Sequence, residues 1–157
     1  MPLPPIDQMT RLTLPPVSGE RYSIGRNQGH SMKLLLLASA GGAIGAGARY
    51  LIGHAFAARG LIAFPWATLT INVVGCFLMG VLIELLAQRF QGSAELRTFL
   101  ATGVLGGFTT FSAFSLEFAT LFERGETTAA ALYVVLSVAL TLLAVFAGLA
   151  ITRAVLA

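Results

Sequence analysis

The sequence predicts an all-α integral membrane protein with four transmembrane helices per subunit, and three observations carry that prediction. Hydrophobic residues make up 56% of the 157 positions and charged residues only 11%. The mean hydropathy is +0.81, far above that of an ordinary soluble domain. Four apolar segments, near 33–57, 64–87, 96–122 and 128–155, each exceed the roughly 20 residues needed to cross a hydrocarbon core of about 30 Å. The links between them, 58–63, 88–95 and 123–127, leave no room for a soluble domain or a loop-borne active site. Four helices of this size barely enclose a pathway, so a homodimer or larger assembly is expected.

Residues 1–31 stand apart. They carry Pro2, Pro4, Pro5, Pro15 and Pro16 with no helical period and no long apolar run, the composition of a disordered tail. Without an apolar central region the stretch is not a secretory signal. Met32-Lys33-Leu34-Leu35 reads like a natural start running straight into a membrane helix, so the expected division is a dispensable tail, 1–31, and a membrane domain, 32–157. A genuine extension is the alternative.

The net charge of +3 and pI near 9.6 would suggest nucleic acid in a soluble protein. Here the basic residues lie in the tail and at segment ends, where they act as topology signals, and no nucleic-acid partner is expected. From Met32 onward, Lys33, Arg89, Arg97 and Arg153 fall on one side against Arg49, Arg59 and Arg124 on the other, 4 against 3. Arg11, Arg21 and Arg26 of the tail make it 7 against 3. Without the tail the bias is weak enough for insertion in both orientations.

The first segment contains Gly41-Gly42-Ala43-Ile44-Gly45-Ala46-Gly47-Ala48-Arg49-Tyr50. Its small residues allow close helix approach. An arginine inside a membrane faces a bundle interior or watery vestibule by default, although snorkelling to the interface beside Tyr50 is the plainer reading. In the second segment Thr68 and Asn72 are four apart on one face. They supply hydroxyl and amide donors for an anion path, or simple helix glue. Cys76 has no partner for a disulfide or a metal and reads as packing. His54 and Glu84 read as interfacial.

The third segment is the unusual one: Gly103-Val104-Leu105-Gly106-Gly107-Phe108-Thr109-Thr110-Phe111-Ser112-Ala113-Phe114-Ser115. Three glycines and four hydroxyl residues make a poor lipid-facing helix, since glycine costs about 1 kcal/mol against alanine in a helix interior. Two readings stand. The helix breaks at 106–110 and frees carbonyls for an ion, a break tolerable only when buried in protein or lining a cavity; or Gly103 and Gly107 are a small-xxx-small packing pair. Phe111 and Phe114 share a face, and the positive edges of their rings suit a small anion. Glu117, one turn on, is functional by default in a membrane or sits at a vestibule rim. In the fourth segment Tyr133, Ser137 and Thr141 form a stripe of hydroxyls at spacings of four, unless they merely bond their own helix's carbonyls.

In order, one per helix, come Gly-Gly-x-x-Gly-Ala-x-x-Arg-Tyr (41–50), Thr-Leu-Thr-x-Asn-x-x-Gly-x-Phe-x-x-Gly (68–80) and Gly-x-x-Gly-Gly-Phe-Thr-Thr-Phe-Ser-x-Phe-Ser-x-Glu (103–117). From about Met32 to Ala157 the chain resembles the Fluc/CrcB fluoride channel family. Ala67 replaces the usual glycine before the second motif, Ala113 stands where threonine is frequent, and the proline-rich tail lies outside the pattern. The resemblance implies an antiparallel, dual-topology homodimer in the cell (inner or plasma) membrane, exporting fluoride passively through two pores. It implies a pathway matching Thr68, Asn72, Phe111, Phe114, Tyr133, Ser137 and Thr141, and vestibule positions at Arg49 and Glu117. It also implies a broken third helix at the dimer centre, where a structural Na⁺ is held by the backbone carbonyls of Gly106 and Thr109. The competing class is a small dual-topology proton-coupled multidrug exporter, whose first helix carries an acidic residue that is missing here. No Ser/His/Asp set, metal cluster or phosphate loop suggests an enzyme.

Overall fold

The computed structural model describes residues 24–89 and 93–156. The chain divides into two units, Met1–Met32 and Lys33–Ala157. Every regular element among the described residues is helical: α1 (Ile24–Ala58), α2 (Trp66–Arg89), α3 (Ala94–Arg97), a π-helix (Thr98–Leu105), α4 (Gly106–Phe108), α5 (Phe111–Glu123) and α6 (Thr127–Leu156). They form four spans long and apolar enough to cross a membrane: Gly29–Ala58, Trp66–Arg89, Ala94–Glu123 and Thr127–Leu156.

Helix α1 begins at Ile24, inside the stretch expected to be tail. No proline lies between Pro16 and Pro65, so nothing in the sequence stops the helix from extending backward. The rest of the expected tail, 1–23, lies outside the described residues.

The first and third links close with the same device. Gly60 (φ 72°) and Gly125 (φ 79°) are left-handed. At the end of α1, Leu61 N–H donates to Phe56 O and Gly60 N–H to Ala57 O; at the end of α5, Glu126 N–H donates to Leu121 O and Gly125 N–H to Phe122 O. These paired bonds satisfy the last carbonyls of each helix, and glycine alone takes the required φ without strain. Ser93 opens the third span by accepting from Leu96 N–H at 3.3 Å, and Glu95 meets Lys33 of α1 at 3.4 Å.

Backbone proximity fixes the helix pairs. A Cβ on Gly80 of α2 would strike the Val145 carbonyl of α6, and one on Gly148 would strike the Phe77 carbonyl. At the end of this pair Arg153 forks onto Glu84, with Nη2–Oε2 at 2.9 Å and Nε–Oε1 at 3.2 Å, and Gln88 adds a donor at 2.7 Å. Glu84 is thus ion-paired and largely buried near the end of α2. A Cβ on Gly41 would strike Phe99 O and one on Gly45 would strike Val104 O. Gly103 and Gly107 answer from the third span: a Cβ on Gly103 would come within 2.9 Å of Gly41 Cα, and one on Gly107 within 2.6 Å of Gly42 O. These glycines are packing residues, as the small-xxx-small alternative holds. One buried cluster, Leu69, Leu121, Ala130 and Tyr133, has Phe64, Phe114 and Phe118 packed against it, and Ile71, Leu86, Ala101, Leu105 and Phe108 are buried as well. Leu36, Leu143, Phe146 and Val155 stay exposed, as lipid-facing residues do.

Candidate functional site: an interrupted span and two cavities

The backbone of Thr109 (φ −75°, ψ 159°) and Thr110 (φ −153°, ψ 123°) is extended between α4 and α5. The glycines are not where the backbone departs from the helix: Gly106 and Gly107 are helical. The residues that depart are threonines, and their own hydroxyls patch the ends. Thr109 Oγ1 donates back to Leu105 O at 3.0 Å. Thr110 Oγ1 accepts from Ala113 N–H at 3.2 Å, capping α5, a role threonine favours because its oxygen satisfies an orphan donor.

Asn72 completes the junction from α2. Its Oδ1 accepts from Thr110 N–H at 2.8 Å, and its Nδ2 donates to Thr110 O at 3.0 Å. The side-chain amide thereby pairs both backbone groups of one extended residue, as a neighbouring strand would. One Nδ2 hydrogen is left for another acceptor. In a continuous helix the Thr110 amide would donate to the Gly106 carbonyl; here it goes to Asn72. A Cβ on Gly106 would touch only Ala101 O, at 3.4 Å, so this glycine has an open side that no packing within the chain requires.

Five of the expected pathway residues meet in one cavity of about 230 Å³: Asn72, Phe111, Phe114, Ser137 and Thr141, with Thr109 beside them. No Asp, Glu, Lys or Arg lines it. The Phe111 ring is largely exposed on the chain's surface and lies 5.4 Å from Phe114, which lies 5.0 Å from Tyr133. Phe64 meets Tyr133 edge-on at 5.5 Å, a contact that nothing in the spacing announced. The hydroxyl stripe divides by role. Thr141 donates to Ser137 O at 2.6 Å, the self-bonded arrangement. Ser137 Oγ is buried without a partner.

Tyr133 is fully buried and turns to Glu117 instead, donating to Oε2 at 2.6 Å. Thr68 donates to Oε1 of the same carboxyl at 2.7 Å. So Thr68 and Tyr133, expected on the anion path with Asn72, do not line its cavity; they clamp Glu117 from two other spans. Glu117 in turn lines a second cavity of about 320 Å³, which runs toward the first link past Phe56, Phe64, Thr120 and Arg124. Arg49 lines neither cavity, and its Nε is buried without a partner; with Ser137 Oγ it makes up the unsatisfied buried side-chain atoms among the described residues. Sequence reasoning missed the π-wound stretch, the capping role of Thr110 and the second cavity. Only the Thr110 cap left a local signal, a hydroxyl residue immediately before a resumed apolar run.

Residues 36–149 match the family model described as CrcB-like protein, Camphor Resistance (CrcB). Among curated proteins, the chain is 57% identical over 119 residues to one from Rhizobium leguminosarum bv. trifolii, covering 76% of this chain and 95% of the relative. It is 58% identical over 120 residues to one from Rhizobium etli, with the same coverage. It is 51% identical over 119 residues to one from Agrobacterium fabrum, covering 76% of this chain and 95% of the relative. Each of these relatives is named Fluoride-specific ion channel FluC.

Proposed function

The chain belongs to the CrcB family, and from that premise we propose that it is a fluoride-selective channel, a multi-pass protein of the cell membrane that lets toxic fluoride leave down its electrochemical gradient. It is a channel, not an enzyme. The observation that carries the reading is the first cavity. It offers a side-chain amide, hydroxyls and ring edges but no full charge. A small, strongly hydrated anion needs several neutral donors to replace its water, and conduction needs binding weak enough to release. A lysine or arginine there would trap the ion; the free Nδ2 hydrogen of Asn72, Ser137 Oγ and the edges of Phe111 and Phe114 hold it without trapping. Arg49, with its unpartnered Nε, draws anions to a vestibule.

Two copies, antiparallel in the membrane, complete the pathway. Phe111 is 78% exposed on the single chain, so a ring assigned to the pore needs cover from elsewhere. A structural Na⁺ belongs at the centre of this dimer. The redirected Thr110 amide and the open side of Gly106 suit a cation held by the backbone carbonyls of Gly106 and Thr109 from both copies. Bound there, the ion offsets the negative carbonyl ends and joins the subunits. The relatives' names do not favour a proton-coupled multidrug exporter.

The test is efflux from liposomes containing the purified protein. Fluoride should leave rapidly and chloride should not; equal fluxes of the two, or none, would overturn the reading.

A further inference from the structure

The second cavity contains Glu117, which the resemblance puts at a vestibule of the pathway, and it carries charged residues that the first cavity lacks. Glu117 and Thr120 of α5 and Arg124, the residue that caps its C-terminal end, are three and four residues apart, and all three line this cavity. The Glu117 carboxyl already accepts from Thr68 and Tyr133 on both oxygens, and it offers an approaching anion a negative field and no donor. Thr120 gives its hydroxyl to Leu116 O at 2.8 Å. Arg124 is the one cation among the lining residues. It is exposed, and it makes no ion pair among the described residues. Glu123 and Glu126, its acidic neighbours in sequence, do not line the cavity. The lining therefore has one carboxyl and one guanidinium, and without Arg124 only the carboxyl would remain.

We propose that Arg124 is an anion-capture residue at the link-side mouth of the second cavity: its guanidinium offsets the Glu117 carboxylate and admits a small anion to a cavity that would otherwise repel it. This rests on the channel reading, with fluoride as the anion. The plainer role for Arg124 is structural. It is the C-cap of α5, where a cation favours the negative end of the helix dipole. The two roles separate by ionic strength. Capture acts through a field that salt screens, over about 30 Å at 10 mM and about 3 Å at 1 M. A fold contribution changes the amount of working channel equally at both.

The experiment measures fluoride efflux from liposomes containing the full chain, at subsaturating fluoride, in low and high concentrations of an impermeant salt. Arg124→Gln should lower efflux about three- to tenfold at low ionic strength, a modest share of the steering range of charged clefts. The deficit should shrink below about twofold at 1 M salt, where the field is screened. Arg124→Lys should restore low-salt efflux, and Arg124→Met, which keeps the packing stem, should behave like the glutamine variant. Neutral variants equal to the wild type at low salt, an equal deficit at both salts, or a lysine variant no better than glutamine would each overturn the proposal. A wild type that conducts while the variants fail this pattern overturns capture alone; a wild type that passes no fluoride overturns the channel reading with it.

Discussion

The two halves of the third span are held by different chemistry. Before the extended threonines, the π-helix and α4 lie backbone against backbone on α1, with Gly103 and Gly107 meeting Gly41 and Gly42. After them, α5 is held by side chains: Thr68 and Tyr133 reach Glu117 from α2 and α6. Between the halves, Asn72 pairs both backbone groups of Thr110. Glycine contacts work by shape, over many weak dispersion contacts, and tolerate no added atom. Hydrogen-bonded contacts work by direction and can be removed one donor at a time. The first half is therefore a fixed platform, and the second can be tuned without losing the fold.

Breaking the platform should have the largest effect. Gly45→Val would drive a branched side chain into the Val104 carbonyl and to within 2.7 Å of Phe108 N. The cost should exceed about 3 kcal/mol, the upper end of ordinary overpacking, because backbone cannot step aside as a side chain can. Size-exclusion in detergent should show loss of monodisperse protein. A well-behaved, active Gly45→Val would mean that α1 is not pinned to the third span.

Next comes the junction. Asn72→Ala leaves the Thr110 N–H and C=O unpaired, at about 1–3 kcal/mol for each group left unsatisfied. Fluoride efflux should fall more than tenfold, and hydrogen exchange at the Thr110 amide should accelerate. Unchanged exchange with lost efflux would make Asn72 a pathway residue alone.

The clamp on Glu117 should be milder. Tyr133→Phe and Thr68→Val each remove one donor to the same carboxyl, at about 1.5–3 kcal/mol for a hydrogen bond to a charged group. Because they share an acceptor, the double variant should depart from additivity in thermal unfolding. Strict additivity would show that the two bonds act independently.

Gly106→Ala should be smaller still within one chain, since its Cβ meets only Ala101 O at 3.4 Å and alanine gains about 1 kcal/mol over glycine in a helix interior. A variant that keeps its fold but loses cross-linked dimer would place a second copy on that open side. An unchanged dimer would remove Gly106 from the interface. Arg153→Gln should be smallest: the guanidinium is well exposed and lies away from both cavities, so thermal stability should drop slightly and efflux should hold. A large loss of efflux would tie the Glu84–Arg153 pair to the pathway.

Much of this was legible in the chain itself. Four apolar runs of sufficient length dictate four helical spans, because a bilayer leaves the backbone only helices and closed barrels and runs of more than about 20 apolar residues fit the helix. Gly41 and Gly45 announce close approach by their spacing, and Asn72, Phe111, Phe114 and Ser137, singled out by residue type and spacing, meet in one uncharged cavity. What the sequence left open was partnership, because spacing places residues on a face but does not say which face meets which. Gly103, Gly106 and Gly107 supported either a break or a packing seam. Only tertiary contact gave Gly103 and Gly107 to the seam, narrowed the extended residues from 106–110 to Thr109 and Thr110, and left Gly106 open. Likewise Thr68 and Tyr133 belonged on paper to the same path as Asn72. Three spans had to come together before their hydroxyls found the carboxyl of Glu117, a bond between positions 49 and 16 residues apart that no local periodicity encodes.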